Sequence, residues 1–179
     1  MAAEHRVEVG HVAARLLSVK LSMGLVLDEV LVEGEGLSLQ AKPFEANLAD
    51  PGSMEVRVSD RSIAAFLNDR APGGLRDFQV RLSGGLIEVE ATASLIISIG
   101  VGAVCRLAIQ DQSKLSIELV RIESIGGTGA QNLVKKQLDA INPIIDARDL
   151  PVSATLESVE VDQGWIVLRG TIAPAAVQD

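Results

Sequence analysis

The sequence predicts an α+β fold, an antiparallel sheet of hairpins packed against two or three helices. Three observations predict it. Two alternating strands around a Gly-containing turn recur three times, in VLVEGEGLSLQ (30–40), VRLSGGLIEVE (80–90) and VEVDQGWIVLRG (159–170). Apolar residues at helical spacing appear in only two places, and no regular strand–helix–strand alternation links them, which argues against a parallel sheet.

Each repeat closes its turn with Gly followed at once by Leu or Trp: Gly36-Leu37, Gly85-Leu86 and Gly164-Trp165. The alternation of Val30 and Val32, Val80 and Leu82, Ile87 and Val89, Val159 and Val161, Ile166 and Leu168 is the period of a half-buried strand. Glycine supplies the positive φ of a tight hairpin. Further strands are expected at 16–23, with Leu17, Val19, Leu21 and Met23 on one side, and at 54–58, 93–99, 103–110 and 115–123. The slip in the alternation of the last one reads as a bulge. EANLADPGSM (45–54) reads as a loop.

The first helix is expected after VRVSDR. Ser59 is placed to cap it, Asp60 suits the helix dipole, and Ile63, Phe66 and Leu67 form the apolar stripe. The second begins near Thr128 with Leu133, Val134, Leu138 and Ile141 on one face, and Pro143 ends it. One domain over 1–179 is expected, with a flexible start over residues 1–15.

Composition narrows the function. Hydrophobic residues are 47% and aromatics 2%, so the interior is built of Leu, Ile, Val and Ala, a wall that also suits an acyl chain. The net charge of −8 and the lack of stacking platforms argue against nucleic acid. The same charge disfavours adsorption to an anionic membrane, so a peripheral membrane contact would be apolar or confined to one face. The single Cys105 sits in an apolar run and reads as buried and inert, and one cysteine fits a reducing compartment. No signal peptide is recognisable in MAAEHRVEVGHVAARLLSV, and no stretch is long enough to cross a bilayer as a helix, so the expected location is cytoplasmic.

Residues 141–152 pose a question, because INPIIDARDLPV is aliphatic where a surface connection would be polar. The order is helix, Asn-Pro, an aliphatic loop with Leu-Pro, then strand, Gly turn and strand, in LVKKQLDAINPIIDARDLPVSATLESVEVDQGWIVLRGTI. This resembles the LmeA-like phospholipid-binding family, a bacterial family. EVRVSDRSIAAFLNDRAPGGLRDFQVRLSGGLIEVEATASL is similar to the same family's helix and following hairpin. The resemblance covers 54–172. It implies a curved sheet around the helices, similar to half of a tubular lipid-binding domain, that holds phospholipid or another acyl-chain molecule in an apolar groove.

Catalytic chemistry is not signalled. His5 and His11 lie together near the start with no further cluster to complete a zinc site or a nucleophilic pair, so neither a metal nor a catalytic residue is assigned. GGTGAQN (126–132) lacks the Lys-Ser/Thr of a phosphate loop, and no cofactor is expected. The expected function is non-enzymatic binding of lipid or an apolar small molecule. The candidate wall is Leu95, Ile97, Ile99 and Val101, joined by Ile144, Ile145 and Leu150 of the 141–152 loop. The alternative is an interaction or scaffold module that uses the same aliphatic surface for self-association, as a homodimer. Trp165 is expected to be a buried anchor of the 157–170 hairpin.

Overall fold

The computed structural model describes residues 6–41, 44–70, 74–94, 98–124, 128–149 and 154–173. Its strands are β1 (Arg6–Lys20), β2 (Val26–Ala41), β3 (Phe44–Asn47), β4 (Gly52–Ser59), β5 (Leu75–Ser83), β6 (Leu86–Ser94), β7 (Ser98–Gln110), β8 (Lys114–Ser124), β9 (Ile145–Asp146), β10 (Ala154–Asp162) and β11 (Trp165–Ile172). The helices are α1 (Asp60–Arg70) and α2 (Thr128–Ile141), with a 3₁₀ turn over Ala147–Asp149. Antiparallel sheet makes up 67% of the structure, which places it in the expected α+β class.

One sheet has the order β1-β2-β4-β11-β10 with β3 beside β2, and the other β5-β6-β7-β8-β9. Two hairpin turns fasten the sheets together. Gly164 donates its N–H to the Leu82 carbonyl, and Gly85 donates to the Val161 carbonyl, both at 3.0 Å. At the other end of β10, Leu156 donates to Gln112 in the β7–β8 turn at 2.7 Å. The curled sheets therefore enclose one core, running from Leu27 and Val56 through Leu82 and Leu115 to Leu156 and Leu168.

The second and third Gly hairpins form as the sequence predicts. Ser83 pairs with Leu86 across Gly84 and Gly85, whose φ values of 58° and 80° suit a two-residue turn. Asp162 pairs with Trp165 across Gln163 and Gly164. The first does not form, because residues 30–40 lie inside the single strand β2. Gly36 serves close approach instead of reversal: it accepts a hydrogen bond from Ala49, and a Cβ there would lie 2.5 Å from the Ala49 Cβ. The turn signal was real chemistry with a different use.

The expected loop 45–54 contains the end of β3 and the start of β4. The strand expected at 16–23 stops at Lys20 and reaches back to Arg6, so residues 6–15, expected to be flexible, belong to β1. Leu17 is exposed instead of facing inward with Val19, because Ser18 takes a φ of 54° and breaks the alternation. β6 ends at Ser94 and β7 begins at Ser98, the two pairing antiparallel, so 93–99 is not one strand. The slip in β8 is a bulge at Val120, opposite Val104 and Cys105.

Both helices follow their stripes. Ser59 caps α1, its Oγ accepting from the Ser62 N–H at 3.2 Å, while Asp28 accepts from the Ser59 N–H at 2.7 Å. Phe66 and Leu67 are buried, as is Val134 of α2, with Leu133 and Leu138 packed against the same core.

Candidate functional site

The inner faces of both sheets and the apolar stripes of both helices meet around a cavity of about 110 Å³. The strand period aims its walls. Cross-strand pairs Ile87–Cys105, Val89–Ala103 and Ala91–Val101 put alternate residues of β6 and β7 on one face, and all six line the cavity. Val56 and Val58 of β4 and Ile166 and Leu168 of β11 form the facing wall. Ile63, Phe66 and Leu67 of α1 and Val134, Leu138 and Ile141 of α2 complete the enclosure. The small side chains Ala91 and Ala103 leave room that a Leu or Ile would fill. Among the described residues, Gln137 is the only amide or charged side chain in the lining.

An apolar cavity of this kind stays dry, because water needs polar partners it does not offer. It is smaller than the roughly 300–1,000 Å³ of sites that enclose drug-sized ligands. A short apolar fragment fits it in this conformation, and a longer chain requires its walls to part.

The sequence-predicted wall is only partly assembled here. Val101, Ile144 and Ile145 all line the cavity. Ile99 lies in β7 opposite Ala93, half-buried and outside the lining. Leu95, Ile97 and Leu150 lie outside the described residues. The aliphatic loop finds its partners in β8: Ile145 pairs with Leu115 as part of β9, and Ile144 donates to the Leu115 carbonyl at 2.9 Å. Ile145 is therefore a core residue at 5% exposure. Ten further lining residues are ones that the sequence places on ordinary helix stripes and hairpin faces. Their periodicity was visible, but which faces converge depends on how the two sheets curl together.

Cys105 is 2% exposed, and burial pushes its thiol up to about 11, so it is a neutral lining group. At the end of β9, Asp146 is held down to about 2 by hydrogen bonds from the Arg148 guanidinium and N–H. On the outer face of the larger sheet, Glu55 accepts from Arg57 and Arg169, and their guanidinium groups lower its pKa. His11 is exposed and pairs with Glu35 at 2.8 Å. Among the described residues no group of three or more His, Cys, Asp and Glu is placed to hold a metal ion. No helix among them is long and apolar enough to cross a membrane.

A second, open pocket of about 660 Å³ lies beside the start of α1, between Asp28, Arg61, Asp69 and Trp165, and shares Phe66 with the cavity. Trp165 is 44% exposed there, which overturns its expected burial. As the first residue of β11 after the turn, it sits on the opposite face from the buried Ile166.

A family model described as LmeA-like phospholipid-binding matches residues 2–171. The match extends toward the N-terminus beyond the 54–172 region that carries the resemblance. No curated protein and no solved structure matches the chain.

Proposed function

The chain belongs to the LmeA-like phospholipid-binding family, and from that premise we propose that it binds phospholipid, or another acyl-chain molecule, without catalysing a reaction. The lining of the cavity carries the proposal. Aliphatic and aromatic groups from both sheets and both helices converge on one space, with Gln137 the only strongly polar side chain among the described residues there. An acyl chain entering it would leave water for contacts worth about 0.8 kcal/mol per buried CH₂.

At about 110 Å³ the cavity is the closed form of such a site. Entry of a chain would move the N-terminal part of α1 or α2 outward from the sheets, because the strands are held by ladders of hydrogen bonds, whereas each helix is tied to the smaller sheet at its C-terminal end, through Asn68 and Asn142, and packs by side chains along the rest. Val101, Ile144 and Ile145 are then chain-contacting residues, joined by Phe66, Ala103 and Leu138. With a net charge of −8, loading at a membrane surface would rely on apolar contact more than on charge.

The alternative, self-association through the same aliphatic surface, has less support. Val101 and Ile145 are each 5% exposed and offer a partner chain almost nothing to bury.

The test is transfer of a fluorescent phospholipid from vesicles to the protein, with native mass spectrometry of the purified product. A stoichiometric protein–lipid mass and saturable transfer are expected. A lipid-free mass together with no transfer would overturn the proposal.

A further inference from the structure

We propose that Gln137 holds the polar end of the bound chain, its carboxamide donating to the ester carbonyl at which an acyl chain leaves the cavity. The assignment rests on the reading of the cavity as an acyl-chain site. It adds what that site recognises, an ester carbonyl as well as the chain. Residues four apart share one face of a helix, so Leu133, Gln137 and Ile141 form a single row along α2. Leu133 packs against the core, and Gln137 and Ile141 line the cavity. A carboxamide thus interrupts an apolar row at a position where a Leu would pack.

Contacts within the chain do not account for this carboxamide. Gln137 is half-buried, yet its side chain makes no hydrogen bond to the described residues. No buried side-chain nitrogen or oxygen among them lacks a partner, so the amide atoms of Gln137 keep contact with solvent. The side chain therefore runs from the apolar lining to water and marks a mouth of the cavity. Partly desolvating an unpaired amide costs free energy, which an acceptor on the ligand would recover.

The lining selects the kind of acceptor. Among the described residues no Arg or Lys lines the cavity, so a carboxylate would lie there unpaired. An ester carbonyl needs only a neutral donor, and the Gln137 amide supplies one. The place also suits an anchor. Gln137 lies about 7.5 Å along the axis from Asn142, which ties the end of α2 to Ile117. When the start of α2 moves outward, Leu133 and Val134 travel farther than Gln137, which stays near the mouth.

The experiment measures competition against transfer of a fluorescent phospholipid to the full chain. The competitors are vesicles of a diacyl phosphatidylcholine and of its dialkyl ether analogue, which has the same chain lengths and no ester carbonyl. Wild type, Gln137→Leu and Gln137→Glu are compared, with thermal melting to confirm that each is folded. The wild type should prefer the ester lipid roughly fivefold, about the worth of one net hydrogen bond. Gln137→Leu should bring the two lipids level, and so should Gln137→Glu, because a carboxylate cannot donate. The vesicles are common to every variant, so a change in the ratio belongs to the protein. The two variants give independent readings, so loss of folding in one leaves the other. Equal competition by ester and ether lipid in the wild type would overturn the assignment. So would a preference that survives in either folded variant. Failure to take up either lipid would instead overturn the acyl-chain reading beneath it.

Discussion

The side chain of Asn142 stands in for a β-strand against Ile117. Its Oδ1 accepts from the Ile117 N–H and its Nδ2 donates to the Ile117 carbonyl, both at 2.8 Å. β9 covers β8 only at Lys114 and Leu115, so this carboxamide takes up the next open backbone position. Asn68 near the end of α1 does the same for Phe78, at 2.9 Å and 3.0 Å, where a bulge lifts β5 out of its ladder. Each helix is thus pinned to the smaller sheet at its C-terminal end.

Asn142→Ala removes both partners of the Ile117 backbone at a half-buried site. A loss of about 1–3 kcal/mol is expected, the cost of leaving such groups unsatisfied. Denaturant unfolding measures it, and amide exchange at Ile117 should quicken. Asn142→Asp keeps the acceptor but turns the donor into a second oxygen facing a carbonyl, so it should not rescue. Wild-type stability in Asn142→Ala would show that water replaces the carboxamide.

Trp165 is the chain's only tryptophan, and at 44% exposure it reports directly on the start of β11. Folded protein should emit near the water-exposed wavelength. Trp165→Ala should cost within about 0.5 kcal/mol, as surface changes usually do. A blue-shifted emission would mean that the indole is covered, by lipid or by a second chain.

How far these features were legible follows from their range. The two true hairpins and both helices were readable because turn glycines, the Ser59 cap and the apolar stripes are local signals. Gly36 misled because a glycine that admits the Ala49 Cβ looks the same in sequence as one that turns the chain. The cavity was legible only at Val101, Ile144 and Ile145, where aliphatic density was high. Ala91 and Ala103 make the space by being small, and that has meaning only once their facing residues are known. The Asn142 and Asn68 clasps join positions 25 and 10 residues apart, beyond any period a sequence displays.

Ala103→Leu separates packing from binding. The added carbons project into the cavity, where empty volume costs roughly 24 cal/mol per Å³ by the usual relation. Apo stability should hold or rise, while phospholipid transfer falls because the space is taken. A variant that is stable and still loads lipid at the wild-type rate would place the ligand elsewhere.

Acid should loosen the outer face. Glu55 and Asp146 have folded-state pKa values below their ordinary ones, through Arg57 and Arg148 respectively. A depressed carboxylate contributes stability that is fully present above its unfolded pKa and is lost as pH falls through the folded value. For Asp146 that window runs from about 4 down to about 2. Replacing Arg148 with Gln should flatten the stability profile between those limits by lowering stability above about pH 4, only slightly because the pair is exposed, and leave it unchanged below about pH 2.

The buried thiol of Cys105 tests whether the cavity opens and what fills it. Its pKa is pushed up to about 11 by burial, so almost no thiolate exists at neutral pH. Any alkylation of the native protein must then pass through a conformation in which α1 or α2 has parted from the sheets. Labelling by an apolar maleimide should be slow, far below that of the unfolded chain. It should be slower still when phospholipid is bound, since Cys105 lines the cavity directly beside Ile87 and Ala103. The raised pKa also has a sign: the neutral thiol's contribution to stability is complete below about 9 and is lost as pH rises through about 11. Lipid that leaves the labelling rate unchanged, in a protein shown by mass spectrometry to carry it, would show that the acyl chain lies outside this cavity.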